Sequence, residues 1–133
     1  MASPATPSGS QTNLGMAPNL AAMLCYFPLC CVGIIMSIVA AVIEKQSRFV
    51  RFHAFQSLLI HGVLIIVVIA MQIFSVVLSM VSGLLGLLFS VIFGLLGLGV
   101  LAAMVFMMVK AYNNEEYPLP TIGEMARKWA QGV

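Results

Sequence analysis

The fold class this sequence predicts is an all-α integral membrane protein, with three transmembrane helices and a short C-terminal interfacial amphipathic helix. Three observations predict it. Of 133 residues, 62% are hydrophobic and 8% are charged, whereas a soluble domain carries about 25% charged residues. The few charges cluster, which leaves two long charge-free runs at 19–43 and 52–109. The polar residues inside the second run recur at helical spacing, without strand-like alternation. A surface this apolar excludes a soluble enzyme, a nucleic-acid binder and a disordered chain. The net charge of +2 is too small to argue for an anionic partner.

Residues 1–18 hold Ser, Thr, Pro and Gly and no charge. Such a tail cannot bury enough apolar area to offset its ordering entropy, so it should be flexible alone and ordered only against a neighbouring subunit. It has neither the basic start of a secretory signal nor the arginines of a transit peptide, so insertion through the first span is expected. Asn19–Ile43 is 25 uncharged residues, about 37 Å as one helix, with Pro28 expected to kink it by freeing the Leu24 carbonyl. Phe52–Val109 is 58 residues without Asp, Glu, Lys or Arg. As one helix it would reach about 87 Å, so it must fold back near 79–83. The membrane domain is thus 19–110, with spans over about 19–43, 53–79 and 83–109.

Residues 111–133 form a loop and a helix. Thr121 and Glu124 fit a capping box, and Ile122, Met125, Ala126 and Trp129 fall on one face. About ten residues cannot cross a bilayer, so this helix is expected in the headgroup interface.

At 100° per residue, His53, Ser57, His61, Gln72, Ser75 and Ser79 share one arc of the second span, with Gln56 just outside it. Polar groups in hydrocarbon are costly unless partnered, so this arc should face protein. The simpler reading is an interhelical hydrogen-bonding seam; the sharper one is a polar conduit. Ser82, Gly86, Ser90 and Gly94 repeat every four residues on the third span, with Gly83 and Gly97 on the same side. Such small-residue faces let helices approach closely in lipid.

His53 and His61 lie about 12 Å apart along a helix, too far to share a metal ion. His61, the deeper, is the candidate axial ligand to haem or to a chlorophyll magnesium. Cys25, Cys30 and Cys31 match no metal spacing and read as packing residues. The four glutamates lie outside the spans, and adjacent Glu115 and Glu116 form no opposed acid–base pair, so no enzymatic activity is expected.

Three stretches together resemble a known family: Asn-Leu-Ala-Ala-Met-Leu-Cys-Tyr-Phe-Pro (19–28), Ser-Arg-Phe-Val-Arg-Phe-His-Ala-Phe-Gln-Ser (47–57) and Tyr-Pro-Leu-Pro-Thr-Ile-Gly-Glu-Met-Ala (117–126). The combination is similar to the chloroplast import component family of the Tic-twenty type and its bacterial relatives, over about residues 19–128. The plastid members look like four-span proteins, where three spans are counted here. The resemblance implies a component of a protein-conducting membrane complex and carries over no catalytic residue.

Two functions are therefore expected. The first is a non-catalytic accessory or structural subunit of a larger membrane complex, photosynthetic or respiratory if His61 binds pigment or haem. The alternative is a protein-translocation component. Partners are membrane lipids and other membrane subunits, with no nucleic acid; lipid, haem or chlorophyll contacts are the cofactor candidates. Lys45, Arg48 and Arg51 flank the first link, and Lys110, Arg127 and Lys128 follow the third span. Three spans place all six on one side, predicting a bacterial cytoplasmic membrane ahead of a plastid envelope, with the N-terminus outside and the C-terminus in the cytoplasm. Arg48 and Arg51 are expected to snorkel to lipid phosphates.

Overall fold

In the computed structural model, which describes residues 12–28 and 30–131, every regular element is a helix. They are α1 (Pro18–Cys25), α2 (Cys30–Ile43), α3 (Arg48–Val81), α4 (Gly83–Tyr112) and α5 (Ile122–Gln131). At 34 and 30 residues, α3 and α4 are apolar throughout and long enough to cross a membrane, since a core about 30 Å thick needs about 20 helical residues. Ser47 starts α3 by accepting a hydrogen bond from the Val50 amide at 3.3 Å. The chain reverses at Ser82, which is extended (φ −158°, ψ 124°). Beyond the reversal α4 runs back along α3, with Phe74 edge-on to Phe89 at 5.1 Å and Ser75 Oγ 3.2 Å from Ser90 Oγ.

The segment expected as one span over 19–43 is instead a helical hairpin. Pro18 at the first turn suits a helix start, because its missing N–H would be unpaired there anyway. The helix ends eight residues later, where the Tyr26 and Phe27 amides turn back to the Met23 and Leu24 carbonyls. Pro28 follows, with no N–H to continue the ladder. The expected free carbonyl at Leu24 is therefore occupied by Phe27, and the Cys25 carbonyl faces side-chain hydroxyls.

α2 then returns antiparallel to α1. Ala21 and Cys25 of α1 pack with Ala40 of α2 and with Val50 and Ala54 of α3. Gly33 lies so close to the Phe27 carbonyl that a Cβ there would collide with it. Both ends of the hairpin reach the same end of the molecule. The Asn13 amide donates to Glu44 Oε2 at 2.8 Å, Asn13 Nδ2 donates to the Ile43 carbonyl at 3.2 Å, and Asn19 Nδ2 donates to the Tyr112 carbonyl at 3.1 Å. The start of the described chain thus sits beside the α2–α3 link and the end of α4. This corrects the expectation that the N-terminal side and that link lie at opposite ends. Hydropathy measures apolar length, and two short helices bent at a proline have the same apolar length as one long one.

α5 lies across the first turns of α3, where Phe52 packs on Ala126 and Ala130, and Trp129 meets Phe55 edge-on at 5.9 Å. The expected capping box is not formed. Thr121 has φ +69°, outside the extended region that an N-cap needs, and its carbonyl accepts from the Met125 amide. The buried stripe is Gly123, Ala126 and Ala130, while Met125 and Trp129 stay exposed. Gly123 approaches Pro118 so closely that no Cβ fits between them.

The packed core gathers at this one end. Farther along α3 and α4 the side chains are bare, with Ile66 70% and Met80 83% exposed. The cations share the packed end. Lys45, Arg48 and Lys128 are exposed. Lys110 pairs with Glu115 at 2.6 Å, and Arg127 approaches Glu116 at 3.6 Å. Arg51 departs from the expected snorkelling: it is buried, donates to the Glu44 carbonyl at 3.3 Å and lies over the Phe55 ring. The flexibility expected of residues 1–18 falls, up to Gln11, outside the described residues.

Candidate functional site

A polar seam joins the α1–α2 hairpin, the first half of α3 and the loop before α5. Each of its groups is polar, buried and placed by a helix. Tyr26, at the end of α1, is its hub. Gln56 Nε2 donates to the Tyr26 hydroxyl at 3.1 Å, and that hydroxyl is hydrogen-bonded to His53 Nδ1, also at 3.1 Å. His53 Nε2 is buried and has no hydrogen-bond partner among the described residues. Phe49, Phe52 and Tyr26 surround its ring edge-on.

Gln56 also fastens the loop. Its Nε2 donates to the Tyr117 carbonyl at 3.0 Å, and its Oε1 accepts from the Leu119 amide at 3.4 Å. The amide thus bonds backbone on both sides of Pro118, which has no donor of its own.

Deeper in, the seam serves the hairpin turn. The Cys25 carbonyl accepts from Ser57 Oγ, and from Ser37 Oγ at 3.1 Å, which shares its one proton with the Gly33 carbonyl at 2.7 Å. Irregular backbone is tolerated at membrane depth only where protein satisfies it. Two serines from two helices do so here. His61 Nδ1 lies 2.8 Å from the Ser57 carbonyl oxygen, one turn back on α3.

At the mouth of the hairpin, Glu44 is fully buried. Its Oε1 accepts from the Gln46 and Ser47 amides, both at 2.9 Å, and its Oε2 from Asn13. A carboxylate there complements the positive end of the α3 dipole and ties three chain segments together.

Residues 10–126 of this chain match the magnetosome magnetite crystal formation protein family. The chain belongs to that family. Members of the UPF0132 membrane proteins are also similar to it. One from Methanocaldococcus jannaschii is 32% identical over 121 residues, covering 91% of this chain and 96% of its own length. One from Archaeoglobus fulgidus is 30% identical over 118 residues, covering 89% of this chain and the whole of its own length. No solved structure matches. The magnetosome family and its archaeal relatives overturn the resemblance to the chloroplast import family, and the translocation reading that rested on it falls too. The three stretches that carried the resemblance are the ones that meet at Tyr26, His53, Gln56 and Tyr117 in the seam.

Among the residues the sequence singles out in this family member, His53, Gln56, Ser57 and His61 are buried and come together. Gln72 is exposed and stands apart. Ser75, Ser79, Gly86 and Ser90 form a second contact, in which Ser79 lies against Gly86 and Ser90 bonds back to the Gly86 carbonyl. A Cβ on Gly94 would meet open space, Gly97 lines a groove between α2, α3 and α4, and Ser82 is the reversal point. Sequence reasoning missed Tyr26, Ser37 and Glu44. A tyrosine two residues before a proline in an apolar run was the available signal for the first, because its hydroxyl needs a partner there. A carboxylate three residues ahead of a helix-capping serine was the signal for the last.

Proposed function

We propose that this chain is a non-catalytic membrane protein that crosses the bilayer twice, through α3 and α4. The α1–α2 hairpin is re-entrant, and both tails lie on the cation-rich cytoplasmic side. On this reading it works as an accessory subunit, assembling laterally with other membrane proteins. One observation carries the assembly: Gly94 on α4 has open space where a Cβ would stand, while Gly86 and Ser90 of the same stripe are already packed on α3. Open glycines on a lipid-facing helix let a neighbouring helix approach closely. Two short half-helices, one buried seam and no ionisable residue in the outer halves of α3 and α4 fit an organising part better than a reacting one. In the setting that the family's description names, such a subunit would organise the membrane around a growing crystal.

The test is a Gly94→Leu variant, purified in mild detergent and weighed by light scattering. The particle should be smaller than that of the unaltered chain, with membrane insertion preserved. A particle of unchanged mass and composition would count against assembly through this face.

A further inference from the structure

Where the seam ends, near the middle of α3, a groove opens between α2, α3 and α4. It has a volume of about 570 Å³ and is lined by Ile34, Leu64, Val68, Phe93, Val100 and Met104 among others. Small-molecule pockets run from about 300 to 1,000 Å³. Among the described residues His61 is its one ionisable lining group. The ring is held on two sides. Nδ1 faces the Ser57 carbonyl, and Cε1 lies 3.4 Å from where a Cβ on Gly33 would stand. A carbonyl oxygen only accepts, and the Ser57 hydroxyl, 3.1 Å from Nδ1, gives its proton to the Cys25 carbonyl, so in the neutral ring Nδ1 carries the proton and Nε2 is left with a lone pair. A fixed acceptor facing hydrocarbon selects a ligand with a donor.

We propose that this groove binds an uncharged, lipid-soluble molecule of the quinol class, whose hydroxyl donates to His61 Nε2. The proposal rests on the reading of α3 and α4 as membrane spans. Depth argues for this class. His61 is thirteen residues along α3 from Arg48 and twenty from Val81, about 20 Å and 30 Å along the axis. Glycerol and headgroup hydroxyls stay near the interface and do not reach that far into a core about 30 Å thick. Charge argues the same way. No Lys or Arg lines the groove among the described residues, so a tetrapyrrole with free carboxylates would bring charge without a counter-charge. The redox state of the ligand decides the hydrogen bond. A hydroquinone hydroxyl donates to Nε2, whereas a quinone carbonyl sets its lone pairs against that of the ring.

The experiment uses the full chain in lipid nanodiscs, titrated anaerobically with decylubiquinol and separately with decylubiquinone, with binding read by calorimetry. The reduced form should bind about tenfold or more tightly than the oxidised form, the worth of one hydrogen bond to an otherwise unpaired acceptor. His61→Phe should abolish that difference. Val68→Phe, which fills the groove and leaves the His61–Ser57 bond in place, should weaken both forms alike; it covers the case in which His61→Phe fails to fold. Equal binding of the two forms, binding of neither, or a preference that survives His61→Phe would overturn the proposal. Insertion is scored on the same samples by protease protection. A chain that inserts and shows no preference sinks the ligand alone, whereas one that fails to insert sinks the membrane reading as well.

Discussion

One hydroxyl, on Tyr26, satisfies two buried side chains from another helix: it accepts from Gln56 and shares a hydrogen bond with His53 Nδ1. Removing it leaves one amide donor and one ring nitrogen unpaired, at a cost of about 1–3 kcal/mol. Tyr26→Phe keeps the ring and its packing, so a drop in the unfolding midpoint in detergent measures that cost. An unchanged midpoint would mean that His53 and Gln56 find other partners. His53, Gln56 and Ser57 were legible in the sequence because polar groups in a charge-free run demand company. Tyr26 was not, since an aromatic ring counts as apolar in any hydropathy pattern. Arg51 was misread for a related reason. Near the interface a snorkelling guanidinium and a buried one look alike in sequence, and only the Glu44 carbonyl and the Phe55 ring distinguish them.

The α1–α2 hairpin holds together through its turn. Two hydroxyls, from Ser37 and Ser57, converge on the Cys25 carbonyl. Ser37 shares its one proton with the Gly33 carbonyl at 2.7 Å and can turn it to Cys25 when Ser57 is lost, so Ser37→Ala or Ser57→Ala should each cost about 1 kcal/mol. The double variant strands a buried carbonyl and should cost more than the sum of the two. A double-mutant cycle on thermal unfolding reads this coupling. Strict additivity would show that water or lipid reaches the turn. Pro28 was legible as a break in the helix, but the direction of the chain after it was not. That direction is set by Gly33 against the Phe27 carbonyl and by Ala40 against Ala21 and Cys25, contacts between residues far apart along the chain.

At the scale of the molecule, the hairpin changes the parity of the topology. Three crossings put the N-terminal tail opposite the cations; two crossings and a re-entrant hairpin put it with them. Both arrangements keep the six cations on one side, so the positive-inside rule is satisfied either way and does not choose. A cysteine introduced at Ser8 and labelled with a membrane-impermeant reagent does choose. The two-crossing arrangement expects labelling from the cytoplasmic face alone, in inverted vesicles and not in spheroplasts. Labelling from the outer face would restore three crossings and require the Asn13–Glu44 contact to be absent in the membrane.

Composition alone determined the class of this protein. With 62% hydrophobic and 8% charged residues, nothing but lipid could solvate it, and only hydrogen-bonded helices satisfy a backbone in lipid without closing a barrel. The 58-residue charge-free run determined that two long helices double back, because one helix of that length is far longer than any bilayer is thick. Those are properties of local segments and their lengths. Tertiary structure decided which groups pair: that Tyr26 bridges His53 and Gln56, that Glu44 joins the start of the described chain to the start of α3, and that α2 returns to the end of the molecule where α1 began. Hydropathy sums over a window and carries no sign of direction. Whether an apolar segment crosses or turns back depends on what its turn can bond to, and those partners, Ser37 and Ser57, lie twelve and thirty-two residues away.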